Sequence, residues 1–600
     1  SGLTIMKTPL GYSFLGPSKA NGKRQHIANF IQVKPSERKL RDFWQDDDVE
    51  NLYDTTKHTS YEDRQALKIM QDSMKKENGK YIVRQPWKSE EPFMPNNRSA
   101  VLHRFLNLEK KFHKDPTYFI EYREALKSYI NTGKAEKVPS DEIQTEVGKV
   151  NYLPHHSVAH TRKKLRIVFD TSLKTQGKSL TNQQYSGPDL LQSLVGVFIR
   201  FRLHLVAVAG DIEKFYHSVF LPPEDYDFHR FLWYSDGKLG SKIVDFRLLI
   251  HLFGGNSSQS CASLALLDCI KQAATTKILT NNQVEIITRS LYSDDFLRSF
   301  ICTEAAVHTV HRAIEALEQG GFVLTKFVSN DKTFLEYLPP DKRSPEVGNT
   351  VLTDKSGTVL GVQWSYQHDE LFFSYDLPLE QVNTKRSLLS AVASIFDPVG
   401  LISFAVIPAK LILQNAFRRK LKWDDRLPED MVRDIEQWID NLKRLKSIRI
   451  PRPYQGLESS LVRTRELHLL SDGSEVCYAS MCYVRNIHEN GMITCGLIAT
   501  KNRLGPLRTK TTVPRMELNG CRMSTRLAAQ VRRELDVEIS RTIYWTDSIA
   551  VLSFIRNRHV RYSVYVGHRV DEIQSTSDID SWRYVPTDLN ISDGLTRGVF

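Results

Sequence analysis

The sequence lacks the features that mark secreted and zinc-stabilised proteins. Its 600 residues include seven cysteines, an odd number, and no Cys-x-x-Cys pair. This composition argues against a disulfide framework and against a structural zinc site, and it indicates a reducing, intracellular setting. A basic segment followed by an apolar core is missing from the N-terminus, so a secretory signal is not expected.

An uninterrupted apolar run long enough to cross a membrane is also missing. The stretch from Ser387 to Ala409 comes nearest, but Asp397 and Pro398 lie in its middle. The proline would break a spanning helix, and the carboxylate would be buried in lipid. We therefore predict two packed helices joined by a turn, and no membrane partner.

The catalytic triplets of aspartic peptidases, Asp-Ser-Gly or Asp-Thr-Gly, occur nowhere in the chain. Integrase motifs and a zinc knuckle are missing as well. We expect no peptidase activity, even though the opening residues 6–16 read as strand, turn and strand.

What the chain does have is size and positive charge. Its formal net charge is +12, with 41% hydrophobic and 25% charged residues. One hydrophobic core rarely grows past about 250 to 300 residues, so several domains are expected. The positive charge suits a polyanion such as nucleic acid, although it also fits an ordinary soluble surface.

The hydrophobic pattern between Leu165 and Trp364 predicts a mixed α+β domain. Upstream of it, Asn78-Gly79 predicts a hairpin turn, and the apolar spacing from Ala100 to Phe112 predicts a helix. Beyond residue 378 the chain is helical in pattern to about residue 445, and it becomes β-rich again from residue 466. Within the mixed domain, the β-rich runs are 165–169, 205–209, 285–292, 322–327 and 359–364.

Three acidic residues lie at the ends of predicted strands. Asp211 follows a buried apolar run, and Asp294 and Asp295 lie in a turn between two others. If these strands are neighbours, the carboxylates converge and their repulsion requires cations. Two Mg²⁺ ions, with Mn²⁺ as a substitute, would then activate a 3′-hydroxyl and stabilise a leaving pyrophosphate. The alternative is that an Asp-Asp pair simply favours a tight turn.

Residues near these acids favour the catalytic interpretation. Tyr216 lies five residues beyond Asp211, which places an aromatic ring one helical turn away, where it can press on the sugar of a nucleotide. Arg166 belongs to a basic run suited to binding a triphosphate through guanidinium hydrogen bonds. Alone, that run would be an ordinary solvated surface.

A second set of spaced carboxylates lies in the C-terminal part. Asp472 and Asp547 end β-like runs, Glu517 opens a helical pattern, and Asp593 begins another short helix. Four acids in such places can again hold two Mg²⁺ ions, here for hydrolysis of a phosphodiester by water. Taken singly, each acid would be a helix cap or a turn residue.

Eight ordered motifs resemble those of reverse transcriptases from Bel/Pao long-terminal-repeat retrotransposons. They are YLPHH (152–156), RIVFD (166–170), SGPD (186–189), DIEKFY (211–216), FGGNSS (253–258), YSDD (292–295), GGFVLTK (320–326) and LGVQW (360–364). The later acids resemble the Asp, Glu, Asp, Asp set of ribonuclease H. The resemblance implies an α+β multidomain protein, with a right-hand polymerase of fingers, palm and thumb followed by an α/β ribonuclease H-like domain.

The resemblance also implies roles for single residues. Asp211, Asp294 and Asp295 would be the metal-binding carboxylates of the palm, and the four later acids would bind metal in the ribonuclease H site. The nucleotide and primer contacts would come from further positions: Arg166 and Lys164 at the triphosphate, Tyr216 against ribonucleotides, Phe253, Gly254 and Ser258 lining the pocket, Lys326 near the departing pyrophosphate, and Leu360 and Gly361 at the primer end.

The sequence departs from the family pattern in three places. Gln259 stands where the family usually has proline, so we expect a less rigid turn there. Ser293 replaces a common valine or methionine, which should alter packing against the primer more than metal binding. A histidine that many ribonucleases H carry before the last acid is replaced by the stretch 585–587, which puts rapid product release in doubt.

The resemblance implies five regions and a set of partners. Residues 1–30 would be the tail of an upstream retropepsin-like peptidase domain and a linker, 31–150 a connector and the start of the fingers, 151–375 fingers and palm, 376–460 thumb and connection, and 461–600 the ribonuclease H-like domain. The expected partners are an RNA template, a DNA primer, an RNA–DNA hybrid, dNTPs, and the peptidase and integrase of the same polyprotein. The setting would be a cytoplasmic particle or the nucleus. The rival hypothesis is a decayed or domesticated remnant that binds nucleic acid without catalysis.

Overall fold

A computed structural model describes the chain over residues 4–8, 11–15, 17–20, 23–26, 59–144, 146–160, 163–345, 356–375, 382–456, 460–507 and 511–597. Two compact units are distinguished. The N-terminal unit contains His58–Leu360 with Tyr366–His368, and the C-terminal unit includes Gly361–Ser365 and Asp369–Phe600. Within the described residues, no helix is long and apolar enough to cross a membrane.

Short strands occupy the first part of the chain. Strand β1 (Thr4–Thr8) pairs antiparallel with β2 (Gly11–Leu15), and β3 (Pro17–Ala20) pairs antiparallel with β4 (Lys23–His26). The expected strand, turn and strand are confirmed by β1 and β2. That residues 1–30 close an upstream peptidase domain stays a prediction.

The N-terminal unit mixes helices and strands, as expected. Its helices are α1 (Tyr61–Ser73), α2 (Arg98–Lys114), α3 (Pro116–Asn131), α4 (Leu194–Phe201), α5 (Ser258–Thr275), α6 (Asn281–Arg289), α7 (Thr303–Glu318) and α8 (Lys332–Tyr337). Its strands are β5 (Lys75–Glu77), β6 (Lys80–Ile82), β7 (Ala135–Lys137), β8 (His155–His160), β9 (Lys163–Phe169), β10 (Val206–Ile212), β11 (Val219–Phe220), β12 (Arg230–Tyr234), β13 (Ile243–Leu248), β14 (Leu291–Tyr292), β15 (Asp295–Phe300), β16 (Leu324–Ser329) and β17 (Ser356–Val359).

One antiparallel sheet organises the first acidic set, with strand order β14-β15-β10-β16. Strand β10 is apolar along most of its length, and residues 207–210 are all buried. Helices α5 and α7 supply much of the same core, in which Val208, Phe296, Leu266 and Leu317 are all buried. Burial of this apolar surface stabilises the sheet that holds the acids.

Two local predictions for the N-terminal unit are confirmed. The hairpin joins β5 to β6 through Asn78 and Gly79, whose φ angles of 51° and 73° give the left-handed backbone of a tight turn. The predicted helix at 100–112 lies inside α2, whose buried residues recur at helical spacing: Val101, Phe105, Leu108 and Phe112.

The expected strand at 285–292 is wrong. Residues 281–289 form helix α6, and only Leu291 and Tyr292 remain as strand β14. A capping box starts the helix: the Thr280 side chain accepts a hydrogen bond from the Gln283 backbone, and the Gln283 side chain accepts one from the Thr280 backbone. This cap and an amphipathic face outweigh the β preference of the paired isoleucines.

The run at 359–364 is likewise not one strand. Strand β17 ends at Val359, and a turn at Leu360 and Gly361 precedes the next strand, Val362–Ser365. Both turn residues have positive φ, 44° and 81°. The division between the two compact units falls inside this turn.

The C-terminal unit contains helices α9 (Lys385–Ser394), α10 (Ser403–Arg418), α11 (Glu429–Arg444), α12 (Val513–Glu534), α13 (Ile549–Arg556), α14 (Val564–Thr576) and α15 (Asp593–Arg597). Its strands are β18 (Val362–Ser365), β19 (Glu370–Phe372), β20 (Arg449–Pro451), β21 (Val462–Gly473), β22 (Cys477–His488), β23 (Ile493–Leu504), β24 (Arg541–Thr546) and β25 (Trp582–Tyr584). Helices α9 and α10 confirm the two packed helices predicted at 387–409, and Asp397 in the turn accepts from the backbone nitrogens of Leu401 and Ile402, both at 2.8 Å.

A five-stranded mixed sheet forms the base of this unit, in the order β23-β22-β21-β24-β25. The first three strands are antiparallel, and β24 and β25 continue the sheet in parallel with β21. Helix α12 connects β23 to β24 and packs closely on β21. A Cβ atom on Gly520 would lie 2.7 Å from the Asp472 carbonyl oxygen, and one on Gly473 would lie 2.2 Å from the Glu517 nitrogen. Glycine at both positions therefore lets helix and strand approach.

Helix α10 packs on the same sheet. Its first residue, Ser403, shares a hydrogen bond of 2.5 Å between hydroxyls with Thr500 of β23, and Asn502 Nδ2 donates to the Ser403 carbonyl at 3.1 Å. Farther along, Gln414 Nε2 donates to the Gly505 carbonyl at 2.9 Å. The expected boundary at residue 460 thus separates elements that pack together in one compact unit.

Candidate active sites

The first acidic site lies at one end of the β14-β15-β10-β16 sheet. Asp211, near the end of β10, is directly opposite Asp295, the first residue of β15. The Ile212 backbone nitrogen donates to the Asp294 carbonyl at 2.7 Å, which ties the turn to β10. The expected neighbouring of these strands is confirmed, and it brings the acids to one sheet end.

The turn that carries Asp294 has an unusual backbone. Ser293 has a φ of 55°, which lies in the left-handed region that serine rarely adopts. Ser293 Oγ donates to Gln259 Oε1 at 3.2 Å, and this contact anchors the turn to helix α5. The turn is thus held in a conformation that local preference alone disfavours.

Mutual repulsion and burial act on these carboxylates. Burial, followed by the charges of Asp294 and Asp211, raises the pKa of Asp295 to about 7, while Lys326 opposes this rise. Lys326 Nζ forms an ion pair with Asp211 Oδ2. Among the described residues, the carboxylate oxygens of these three acids do not all lie within 4.8 Å of one another. The ammonium of Lys326 supplies the positive charge next to Asp211.

Several expected nucleotide-binding residues lie near the acids. Tyr216 follows β10 on a short 3₁₀ turn, Phe215–Ser218, instead of an α-helical turn, and Lys214 before it has a left-handed φ of 52°. Its ring meets Phe253 edge to face, with centroids 5.6 Å apart. Phe253 is 66% exposed and offers an apolar surface to solvent.

The segment around Gly254 immediately precedes helix α5. Gly254 has a φ of 86°, which favours glycine, and a Cβ there would meet no atom within 4 Å. Ser258 begins helix α5, and its buried Oγ has no hydrogen-bond partner in the described structure. Gln259 lies in the first turn of this helix, and the expectation of a less rigid turn there stays a prediction.

The remaining predicted positions lie on β9 and in the turn after β17. Arg166 is exposed on β9, opposite Val158 of β8, and among the described residues it makes no ion pair with the three carboxylates. Lys164 lies on the same strand, and its side chain is outside the described structure. Leu360 and Gly361 form the turn after β17. Their roles stay predictions.

The second acidic site lies where β21, β24 and helix α12 meet. Asp472 is near the end of β21, Asp547 follows β24, and Glu517 lies in the second turn of α12. Carboxylate oxygens of these three residues lie within 4.8 Å of one another. Asp593, at the start of α15, lines the same cavity. The structure therefore brings all four predicted acids together.

The electrostatics of this site are those of crowded acids. Burial, then the charges of Asp472 and Asp547, raises the pKa of Glu517 to about 9. Burial also raises the pKa of Asp472, although the Thr596 hydroxyl, which donates to Asp472 Oδ2, opposes this rise. Asp593 Oδ1 forms an ion pair of 2.7 Å with Arg597 Nε.

A hard divalent cation fits this group of side chains. Glu517 Oε2 and Asp547 Oδ1 are buried and have no hydrogen-bond partner in the described part of the chain. Such orphaned carboxylate oxygens are costly unless a cation neutralises them. Oxygen ligands from several carboxylates are the donor set that Mg²⁺ and Mn²⁺ take.

Two residues of this site were missed in the sequence. Thr596 and Arg597 lie three and four residues after Asp593, a spacing that returns to the same face of a helix. That spacing could have indicated, from the sequence alone, that both residues lie near Asp593. The contact of Gln259 with Ser293 was also missed, because it joins residues that are 34 positions apart.

Comparison with solved structures finds foamy viral protease-reverse transcriptases. The dRH form in complex with ds DNA has a TM-score of 0.48 at 12% identity, covering 98% of this chain and 92% of that one. The complex with dsDNA has a TM-score of 0.48 at 13% identity, with coverage of 91% and 97%. The complex with RNA/DNA hybrid has a TM-score of 0.46 at 12% identity, with coverage of 98% and 71%. The arrangement of fingers, palm and thumb stays a prediction.

Comparison with curated proteins finds no match. A family model does match residues 384–548, that of the Pao retrotransposon-like RNaseH-like domain. The matched residues run from the start of α9 through β24 and include Asp472, Glu517 and Asp547. The resemblance to Pao-type retrotransposon proteins is confirmed over residues 384–548, which are similar to the Pao retrotransposon-like RNaseH-like domain.

Proposed function

We propose that this chain is the polymerase segment of a Pao-type retroelement, with RNA-directed DNA polymerase activity in the N-terminal unit and ribonuclease H activity in the C-terminal unit. The observation that carries the proposal is the presence of a separate acidic site at strand ends in each unit. Two such sites suit two phosphoryl reactions, one joining nucleotides and one cleaving RNA.

Bound divalent cations, two per site and most simply Mg²⁺, would offset the charge on phosphate oxygens and lower the pKa of the attacking hydroxyl or water. In the first site Asp211, Asp294 and Asp295 would hold them. Lys326 would exchange its contact with Asp211 for one with the pyrophosphate, because both partners are anionic oxygens. Tyr216 and the exposed ring of Phe253 would border the sugar and base.

In the second site Asp472, Glu517, Asp547 and Asp593 would hold the cations. The glycine contacts that bring α12 onto β21 fix Glu517 next to Asp472 before any substrate binds. This preorganisation matters because a carboxylate displaced by about 1 Å costs much of the rate. An RNA–DNA hybrid would be chosen by its shape and its 2′-hydroxyls.

Primer extension tests the polymerase. Intact protein with Mg²⁺, an RNA template and a DNA primer should incorporate dNTPs, and Asp294→Asn should reduce incorporation at least 1,000-fold, on the order of the loss of one metal ligand. Asp72→Asn, an exposed acid on α1, is the matched control and should retain activity. Equal incorporation by wild type and Asp294→Asn would overturn the proposal. A wild type that incorporates no dNTP would overturn it as well.

Cleavage of a labelled RNA–DNA hybrid tests the ribonuclease H. Asp547→Asn should abolish cleavage and leave primer extension within about twofold, since its site lies in the other compact unit. Asp571→Asn, an exposed acid on α14, is the control. Joint loss of both activities in Asp547→Asn would refute two independent sites. Nucleic-acid binding without either activity would favour the decayed or domesticated remnant.

A further inference from the structure

A single amide joins Tyr216 to the turn that carries Asp294. Gln259 Oε1 accepts a hydrogen bond from the Tyr216 hydroxyl at 2.6 Å and another from Ser293 Oγ at 3.2 Å. Gln259 Nε2 donates to Ser263 Oγ at 2.9 Å, one turn farther along α5. The ring, the acidic turn and the helix are therefore held by one side chain.

The helix that presents Gln259 is fixed in the core. Cys261, Ala262 and Ala265 of α5 are completely buried, so the start of the helix has little freedom to shift. The ring of Tyr216 packs against the buried Phe215, with centroids 5.3 Å apart, and against Phe253, which is largely exposed. The contact with Gln259 adds a polar restraint at the hydroxyl end of the ring.

We propose that Gln259 is a positioning residue for sugar selection, which it exerts by holding the Tyr216 ring at a fixed place relative to Asp294. The inference rests on the proposed polymerase, in which Tyr216 borders the sugar of the incoming nucleotide. Two of the three departures from the family pattern, Gln259 and Ser293, belong to this one network. The Gln259 amide and the Ser293 hydroxyl restrain the ring and the acidic turn through hydrogen bonds.

A substitution that removes the Gln259 amide oxygen breaks its hydrogen bond with the Tyr216 hydroxyl but keeps the Tyr216 ring. Methionine has nearly the length of glutamine but accepts hydrogen bonds only weakly. In Gln259→Met the Tyr216 and Ser293 hydroxyls turn to water, and the ring gains room to move away from a 2′-hydroxyl. We expect discrimination between dCTP and CTP to fall about tenfold.

A double-mutant cycle separates this role from general damage. The ratio of kcat/KM for dCTP to that for CTP is measured on an RNA template for wild type, Gln259→Met, Tyr216→Phe and the double variant. Because both single changes break the same hydrogen bond, the double variant should lose no more discrimination than either one. Gln272→Met, an exposed glutamine of the same helix, should match wild type. Unchanged discrimination in Gln259→Met, or fully additive losses, would overturn the proposal.

Thermal unfolding of the same four proteins tests the contact without any activity. Coupling between the two changes in the free energy of unfolding is expected, and its absence would overturn the hydrogen bond itself. Coupling together with unchanged discrimination would leave the contact and refute the selective role. Coupling across the four proteins, together with a wild type that incorporates neither nucleotide, would refute the proposed polymerase instead, and with it the selective role.

Discussion

Single side chains balance the charge of the two acidic sites differently. In the N-terminal unit, Asp211 is paired with Lys326. In the C-terminal unit, Glu517 Oε2 and Asp547 Oδ1 have no hydrogen-bond partner among the described residues. Residues that serve a bound cation in this way weaken the protein when the cation is absent.

Replacing Glu517 by glutamine should stabilise the metal-free protein. Glu517→Gln removes a crowded acid, so in EDTA its melting temperature should rise by a few degrees, equivalent to about 1 to 2 kcal/mol. Added Mg²⁺ should raise the melting temperature of wild type more than that of the variant. Glu538→Gln, an exposed glutamate, should behave as wild type. A lower melting temperature for Glu517→Gln in EDTA would contradict this account.

At the scale of elements, the second site depends on how closely α12 lies on β21. Gly520 and Gly473 permit backbone contacts that a Cβ atom would block. Helix α14 carries another glycine, Gly567, whose Cβ would meet only the Tyr562 carbonyl oxygen at 3.8 Å. The two helices thus contain glycines of similar helix propensity in very different surroundings.

Alanine at Gly520 and alanine at Gly567 should have opposite effects on the free energy of unfolding. Both substitutions gain about 0.5 to 1 kcal/mol of helix propensity. Gly520→Ala should nevertheless destabilise the C-terminal unit by about 2 kcal/mol or more and abolish hybrid cleavage, because helix and strand must separate. Gly567→Ala should be neutral or slightly stabilising. Urea unfolding of both variants checks the difference, and equal midpoints would show that α12 tolerates a shift.

At the scale of the whole molecule, the N-terminal unit buries several neutral histidines. Burial lowers the pKa of His155, His229 and His251 to about 4 and that of His217 to about 3. An unfolded histidine titrates near 6.5. The unfolded chain therefore binds protons that the folded unit does not accept, and the stability that these residues provide is present above pH 6.5 and lost as the pH falls towards 4.

Mild acid should therefore destabilise the N-terminal unit. Between pH 6.5 and 5.5 each buried histidine should cost up to about 1 kcal/mol. The urea midpoint should fall over this interval, and it should fall less in His251→Gln, which removes one titrating group. His113→Gln, an exposed histidine on α2, should leave the slope unchanged. A midpoint independent of pH would contradict the burial of neutral imidazoles.

The sequence predicted those parts of the sites that depend on local pattern. Asp211 and Asp295 could be placed together because each lies at the end of an apolar strand. The run at 285–292 was misjudged because paired isoleucines suit a strand, whereas the cap at Thr280 selects a helix. The network at Gln259 depends on tertiary packing between distant segments, and no local pattern reveals such a contact.

The packing of α10 on β23 limits where recombination can exchange the C-terminal region between elements. A retroelement that exchanged its C-terminal region by recombination at residue 460 would separate Ser403 from Thr500 of β23, and Gln414 from Gly505, which follows that strand. The acquired sheet would then meet a foreign helix. A crossover upstream of residue 384, where the family match begins, would transfer helix and sheet as one heritable cassette.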